Sequence, residues 1–126
     1  MQINFARKFS DILNGGKILA IEDGRIIEND ISRLEEFKND GVKIITLSWS
    51  CINQICGSWD TNAFLSEFGK SFVEKCFGLS IIPDISHTSV ETTKDIIELA
   101  RKYNKTIIAS HSNSYSVCRH QRNLRD

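Results

Sequence analysis

Two histidines in the last third of the chain stand where two short apolar runs end. The isoleucine-rich run at 81–85 is followed by Ser86 and His87, and the run at 107–109 is followed by Ser110 and His111. Two imidazoles about one strand–helix unit apart suit a divalent metal such as zinc, whose ligands converge from separate elements. A histidine that closes a buried strand with an ordinary hydrogen bond is the alternative interpretation. The spacing alone leaves both open.

Both histidines require elements that bring their strand ends to one side of the fold. Short isoleucine-rich runs with polar ends are typical of strands buried on both faces of a parallel sheet. Helices and strands alternate along the whole chain, which predicts α/β structure with right-handed crossovers. Glu22 and Trp49 follow two earlier strands, so we expect them at the same edge as the histidines. The four predicted strands lie near residues 17–22, 43–48, 80–86 and 106–110.

Amphipathic patterns predict the helices between these strands. Apolar residues recur at helical spacing over residues 2–13, 27–37, 64–77 and 96–103. Side chains that can close backbone hydrogen bonds mark the expected boundaries. The predicted starts are capped by Asn29 or Asp30 and by a Thr88–Glu91 capping box, and the predicted ends lie at Asn14, Gly41 and Asn104.

The composition is that of one globular domain spanning residues 1–126, with 40% hydrophobic and 25% charged residues. Sixteen basic residues balance sixteen acidic ones, so we expect neither nucleic acid nor a membrane as a partner. No apolar run approaches the ~20 residues that span a bilayer, and the charged N-terminal residues are unlike a signal peptide. The four cysteines form no CxxC pair, so we expect free thiols and a cytoplasmic protein.

Six short motifs occur in a specific order between residues 15 and 126. They are Glu22-Asp23-Gly24, Ile45-Thr46-Leu47-Ser48-Trp49 with Asn53, Phe68-Gly69-Lys70, Asp84-Ile85-Ser86-His87, Ser110-His111-Ser112-Asn113 and Arg122-Asn123-Leu124. Together they resemble the membrane dipeptidase (renal dipeptidase-like) family of metallopeptidases. Each motif alone is weak, but their order and spacing make the resemblance specific.

The resemblance implies a TIM (β/α)8-barrel hydrolase that holds two zinc ions and cleaves dipeptides. Glu22 resembles the carboxylate that bridges the two metals, and His87 and His111 resemble ligands of one of them. Arg122 resembles the arginine that binds the substrate carboxylate, for which a planar guanidinium is suited. Trp49 stands where animal members have a substrate-contacting histidine, and tryptophan there resembles the bacterial branch.

This chain also departs from the family pattern. It has no His-x-Asp motif before Glu22 and no late aspartate, and Ser80 stands where relatives usually have glycine. We therefore expect part of a barrel, about four parallel βα units, that holds at most one zinc and is inactive alone. An open half-barrel exposes sheet edges, which favours a homodimer. Two alternatives remain open: a non-catalytic dimerising α/β module or degenerate relative, and another metal-dependent amidohydrolase.

Overall fold

The computed structural model describes residues 4–125 of the chain. Strands and helices alternate from the N-terminus to the C-terminus, as the sequence predicts. The elements are α1 (Phe9–Leu13), β1 (Leu19–Ile21), a 3-10 helix (Gly24–Ile27), α2 (Arg33–Asp40), β2 (Val42–Thr46), α3 (Glu67–Leu79), β3 (Ile82–Asp84) and α4 (Val90–Tyr103). Among the described residues, no helix is both long enough and apolar enough to span a bilayer.

The three strands form one parallel sheet in the order β1-β2-β3. Ile21 pairs with Ile45, and Thr46 pairs with Asp84. The fourth predicted strand, near residues 106–110, follows the same direction but is reduced to a single parallel bridge between Asp84 and Ile108. Its backbone bonds are Ile85 N–H to Ile108 C=O, 2.8 Å, and Ile108 N–H to Pro83 C=O, 3.1 Å. All four segments therefore end at one edge of the sheet.

The N-terminal segment differs from the helix predicted over residues 2–13. Phe5 forms a parallel bridge with Lys17, and the helix is confined to α1. The backbone N–H of Ala6 donates to Lys17 C=O at 2.8 Å, which keeps this segment extended beside β1. Phe9, part of the predicted apolar stripe, is 74% exposed. The apolar residues have a helical spacing, but α1 has no buried residue that would stabilise a longer helix. The first residues of the predicted helix, including Ile3, lie outside the described residues.

Two of the predicted helix starts are displaced by a competing hydrogen bond. The Thr88 hydroxyl donates to Ile85 C=O at 2.8 Å, so the cap of α4 is Ser89, whose Oγ accepts from Thr92 N–H at 3.0 Å. Asp30 accepts from the backbone N–H and the hydroxyl of Ser32 instead of capping a helix at its own position. α2 therefore begins later than predicted.

The predicted ends of the helices agree better with the structure. Gly41 follows α2 with φ +99°, and Asn104 follows α4 with φ +49°. Both conformations are left-handed, which glycine adopts without strain and asparagine tolerates. The third helix, predicted over residues 64–77, ends two residues later at Leu79. Ser80, which follows it, takes the same left-handed position with φ +56°.

The outer face of the sheet packs against the helices and forms the core. Ile45 on β2, Phe72 on α3 and Ile96 on α4 are each at most 1% exposed. Burying a side chain of this size stabilises the fold by about 1.5–3 kcal/mol. The opposite face of β2 carries Ile44 and Thr46, which border a cavity of about 380 Å³. The helices thus hold one face of the sheet rigidly and leave the strand ends accessible from the other.

Candidate metal centre

Three potential metal ligands converge at the carboxyl edge of the sheet. The Nε2 atoms of His87 and His111 lie 2.9 Å apart, and each lies 3.3 Å from Oε1 of Glu22. We call these residues the ligand trio. Within residues 4–125, it is the only group of three or more His, Cys, Asp and Glu side chains placed to share a metal ion. The spacing of the strand ends suggested the two histidines as possible ligands, and the resemblance to the dipeptidase family added Glu22.

Glu22 is positioned by the turn that follows β1. Asp23 has φ +74° and starts the 3-10 helix by accepting from Arg25 N–H at 3.1 Å. Glycine suits position 24 because a Cβ there would lie 2.6 Å from Cδ1 of Ile55 and 3.2 Å from the carbonyl oxygen of Leu47. The tight turn therefore explains the Glu-Asp-Gly motif. It projects the Glu22 side chain, which is 56% exposed, toward the two rings.

His87 is held by its backbone as well as by its ring. Its φ is +69°, a left-handed conformation that is uncommon for residues other than glycine. The His87 carbonyl accepts from Trp59 N–H at 2.8 Å and from the Ser48 hydroxyl at 3.1 Å. Ring Nδ1 lies 3.0 Å from the carbonyl oxygen of Trp49. A carbonyl only accepts, so Nδ1 carries the proton and Nε2 presents its lone pair to the trio.

His111 is oriented through two residues that the sequence reasoning missed. Its Nδ1 lies 2.6 Å from the hydroxyl of Ser110, and that hydroxyl is hydrogen-bonded to Asp84. Asp84 is 1% exposed. An acid enclosed by proline and isoleucine in a buried strand is the signal that could have identified it, because buried carboxylates require partners.

The pKa of Asp84 lies below its usual value. Burial alone would raise this pKa, but hydrogen bonds outweigh burial. They come from the Ser110 hydroxyl and from the backbone N–H groups of Ser86 and Ser110, with a smaller contribution from the Ser86 hydroxyl. Donors that bond the ionised form favour it. Asp84 is therefore a carboxylate at neutral pH.

A lowered pKa also keeps His87 neutral. Burial is the main cause, followed by the nearby guanidinium of Arg122, and the ring of His111 adds to the lowering. The carbonyl of Trp49 and the carboxylate of Glu22 oppose the lowering without cancelling it. A neutral imidazole with an available Nε2 is the form that binds metals.

The loop at 51–62 forms one wall of the site. The amide of Asn53 donates to Leu47 C=O at 2.9 Å and accepts from Ile55 N–H at 2.8 Å, so this side chain ties both ends of a turn. α3 packs directly on the loop because Gly69 has no side chain. A Cβ there would lie 2.0 Å from the Ile55 carbonyl oxygen.

A cavity of about 410 Å³ opens over the ligand trio, and it is also lined by Trp49, Ser50, Trp59 and Arg122. Trp49 is 54% exposed, and Trp59 packs its ring against His120 with centroids 5.5 Å apart. Nη2 of Arg122 lies 2.6 Å from Nε2 of His87. The buried Nε of Arg122 has no hydrogen-bond acceptor among residues 4–125. All five residues that the sequence singled out therefore border this one cavity.

The cysteines take no part in the trio. All four are free thiols. Burial raises the pKa of Cys56 and of Cys76 to about 12, so neither forms the thiolate that binds metals. Cys51 and Cys118 are exposed.

The trio fits a zinc ion in both donor type and spacing. Ligand atoms about 2.0–2.1 Å from a tetrahedral zinc lie about 3.3 Å from one another. The two distances to Glu22 match this value, and the distance between the two imidazoles is slightly shorter. Two imidazole nitrogens and a carboxylate oxygen that face one point are a ligand set that favours a cation there.

A family model described as "Membrane dipeptidase (Peptidase family M19)" matches residues 5–126. The chain belongs to the membrane dipeptidase family. This match confirms the resemblance to the family that the sequence predicted. It covers nearly the whole chain and not only the six motifs. Membership of this metallopeptidase family implies metal dependence.

Solved structures of bacterial proteins agree with this assignment. The chain is similar to the probable dipeptidase PvdM from Pseudomonas aeruginosa, with 25% identity and a TM-score of 0.86 over 98% of this chain and 34% of that one. It is also similar to a metallo peptidase from Rhodobacter sphaeroides liganded with a phosphinate mimic of L-Ala-D-Ala. There the identity is 26% and the TM-score 0.84, over 97% and 38% of the two chains. An amidohydrolase from Pseudomonas aeruginosa shares the fold, with 24% identity and a TM-score of 0.87 over 95% and 38%.

These similarities confirm the predicted fold class. The dipeptidases of the membrane dipeptidase family are metallo-dependent hydrolases with a TIM barrel, and this chain has the structure of part of that barrel. The chain spans between 34% and 38% of the length of the three structures compared. The described sheet accordingly has three strands and one further bridge.

Proposed function

We propose that this chain carries the histidine-bearing part of the catalytic site of a metal-dependent dipeptidase. The observation that carries the proposal is the convergence of three ligand atoms from Glu22, His87 and His111 within about one metal coordination shell. Family membership supports a dipeptidase-type hydrolase. The exposed cavity above the trio provides room for a small substrate.

The residues around the trio divide the tasks of binding and proton transfer. When bound, the metal supplies a water of lowered pKa and polarises the substrate carbonyl. Glu22 would hold the metal through Oε1, which leaves Oε2 as a nearby acceptor for a proton. Arg122 lines the cavity, where its guanidinium can bind the carboxylate of the substrate. Trp49 and Trp59 flank the cavity and offer aromatic surface to a substrate.

We propose zinc as the metal, bound with at most one ion per chain. Two imidazole nitrogens and one carboxylate oxygen are a common zinc ligand set, and they leave a fourth position for water or substrate. Residues 4–125 provide one such ligand group. A two-metal site would need further ligands of the kind that the first-strand His-x-Asp motif supplies in the family.

A chain with one metal should turn over dipeptides far more slowly than a two-metal family enzyme. Activation of a water shared by two cations contributes several kcal/mol to transition-state stabilisation. At about 1.4 kcal/mol per tenfold in rate, the loss of one cation costs several orders of magnitude. Substrate binding through Arg122 does not depend on activation of the water by a second cation. Loss of that cation should therefore reduce substrate binding less than turnover.

The test compares a purified zinc-loaded chain with its Glu22→Gln variant. Zinc content is measured first, and alanyl dipeptides and their C-terminal amides are then assayed for hydrolysis. We expect one zinc at most, weak or no turnover, and preferential binding of the free carboxylate forms. Turnover near that of an intact family enzyme, abolished by Glu22→Gln, would contradict the proposed inactivity. Equal affinity for acids and amides would contradict the role of Arg122 and favour another metal-dependent amidohydrolase.

A second candidate function follows from the accessible inner face of the sheet. Ile44 and Thr46 border a cavity there, and Ile18 nearby is 46% exposed. An apolar sheet face that no helix covers can be buried against another copy of the chain. The chain would then be a non-catalytic module that closes its sheet by forming a homodimer. Sedimentation analysis with and without zinc distinguishes the two candidates, since the dimer module needs no metal.

A further inference from the structure

The ring of His111 is connected to a buried carboxylate through one hydroxyl. Ser110 Oγ lies 2.6 Å from Nδ1 of His111 and is also hydrogen-bonded to Oδ2 of Asp84. We propose that Asp84 and Ser110 are positioning residues that fix the tautomer and the orientation of His111. This inference rests on the proposed metal-binding function, and it identifies the residues that orient His111 to bind the metal.

The direction of the two hydrogen bonds follows from counting donors. Oδ1 of Asp84 accepts from the backbone N–H of Ser86 at 2.9 Å and of Ser110 at 3.1 Å. Oδ2 accepts from the hydroxyl of Thr46 at 3.0 Å and from that of Ser110. An ionised carboxylate only accepts, so the single hydroxyl proton of Ser110 belongs to this bond. Ser110 Oγ then accepts from Nδ1–H of His111, and the lone pair lies on Nε2.

His111 needs this support more than His87 does. The ring of His87 is 7% exposed, whereas that of His111 is 41% exposed. An exposed side chain loses rotamer freedom when it is fixed, and that cost must be offset by contacts. The backbone N–H of His111 is held by Ser86 Oγ at 3.1 Å, but this bond leaves the ring free to turn. Nε2 of the ring faces Glu22 and His87, and the Ser110 hydroxyl is the hydrogen-bond partner of its other nitrogen, Nδ1.

The carboxylate reaches this place because of the strand pairing. Asp84 ends β3 and forms the parallel bridge with Ile108, two residues before Ser110. Its side chain is buried on the inner face of the sheet, beneath the ring of His111. Carboxylates that hold a metal-binding imidazole through its second nitrogen are a common device, and their loss lowers metal affinity. Here a serine hydroxyl lies between the two groups.

The first measurement is the tautomer of His111 in the metal-free chain, from the ¹⁵N chemical shifts of its ring. We expect the Nδ1–H form in the wild type and in Ser110→Thr, which keeps the hydroxyl. Ser110→Ala should shift the ring toward a mixture with the Nε2–H form. Thr46→Val is the matched control, because it removes another donor to the same oxygen of Asp84 and does not touch His111.

The second measurement is zinc affinity by competition with a chromophoric chelator. Ser110→Ala should weaken zinc binding by about 10–100-fold, while Ser110→Thr and Thr46→Val should change it by less than about threefold. Asp84→Asn should behave like Ser110→Ala, but Asp84 is buried and this variant could fail to fold. Ser110→Ala changes a residue with an exposed side and decides the question in that case.

The outcomes separate this inference from the function on which it rests. If the wild type binds no zinc, the metal-binding function is wrong, and the tautomer result alone decides whether Ser110 positions the ring. If the wild type binds zinc and Ser110→Ala changes neither tautomer nor affinity, the positioning role is wrong and the metal site stands. A loss in Thr46→Val equal to that in Ser110→Ala would also overturn it, because Asp84 would then serve packing alone.

Discussion

Nη2 of Arg122 lies 2.6 Å from Nε2 of His87, the same nitrogen that faces Glu22 and His111. The guanidinium and a metal ion are thus directed at one lone pair. A guanidinium only donates, so it and a cation cannot share this atom. Metal binding must therefore release Arg122, which places its donors at the cavity beside the metal.

Replacing Arg122 should separate metal binding from substrate binding. In Arg122→Ala we expect zinc to bind at least about threefold more tightly, because a nearby positive charge is removed. Binding of an alanyl dipeptide should weaken by about 10–100-fold, as expected for the loss of hydrogen bonds to a charged group. Arg122→Lys is the matched variant, which keeps the charge without the planar fork. Calorimetry with zinc and then with dipeptide measures both, and weaker zinc binding in Arg122→Ala would contradict this account.

The third histidine of the chain provides a control for the ligand trio. His87→Asn and His111→Ala should each abolish stoichiometric zinc binding, because two ligands hold this ion far less tightly than three. His120→Ala should retain it, although His120 packs against Trp59 at the rim of the same cavity. Metal analysis of the three dialysed variants is sufficient. Unchanged zinc in both trio variants would mean that the histidines are structural.

The stability of the metal-free chain should fall as the solution becomes acidic. Burial and the guanidinium of Arg122 lower the pKa of His87 below its usual value near 6.5. As the pH falls below about 6.5, the unfolded chain gains this proton while the folded chain does not, so the free energy of unfolding decreases. The decrease continues down to the folded pKa and is at most about 1.4 kcal/mol per pH unit for this group.

Urea denaturation of wild type and His87→Asn between about pH 5 and pH 7 measures this slope. Asparagine tolerates the left-handed conformation of residue 87 and keeps an N–H for the Trp49 carbonyl. We expect a flatter pH dependence in the variant. Equal slopes in the two proteins would show that His87 titrates alike in the folded and unfolded chains.

Ser80 offers a test of the backbone at the end of α3. A left-handed residue with a Cβ is strained, and glycine is favoured at this helix position. Ser80→Gly should raise the free energy of unfolding by about 0.5–1 kcal/mol. Asn104→Gly, at the equivalent position after α4, should gain less because asparagine already tolerates this conformation. Thermal unfolding of both variants checks the difference, and an equal or larger gain at Asn104 would contradict it.

Strand-end reasoning placed all three members of the ligand trio at one edge of the sheet, and the family resemblance supplied the ligand role of Glu22. Glu22, His87 and His111 each follow an apolar run, and parallel strands place such ends together whatever the details of packing. Asp84 and Ser110 could not be paired in the same way. They are far apart in sequence, and their contact depends on the register between β3 and the segment around Ile108.

The errors in the predicted elements have similarly local causes. The stripe through Phe5 and Phe9 has a helical period, yet Phe5 pairs with Lys17, since backbone pairing beside β1 outweighs the pattern. Thr88 and Ser89 are both good caps, and the sequence does not show that Thr88 is already bonded to the Ile85 carbonyl. The exact ends of these elements depend on individual hydrogen bonds, and a periodic sequence pattern does not reveal such bonds.

The order of the strands has a consequence for how the chain folds with its metal. The ligand trio comes from the ends of β1, β3 and the segment after Ile108, so it assembles only when β2 pairs with both of its neighbours. A slip of one residue between strands would turn the ligands to the other face. Under the proposed metal-binding function, zinc would bind the correctly registered sheet in preference to the unfolded chain, and it would stabilise the fold by an amount that grows with the logarithm of its concentration. Zinc bound in this way would select the native strand register, and the folded fraction of the chain would then rise with the free zinc concentration.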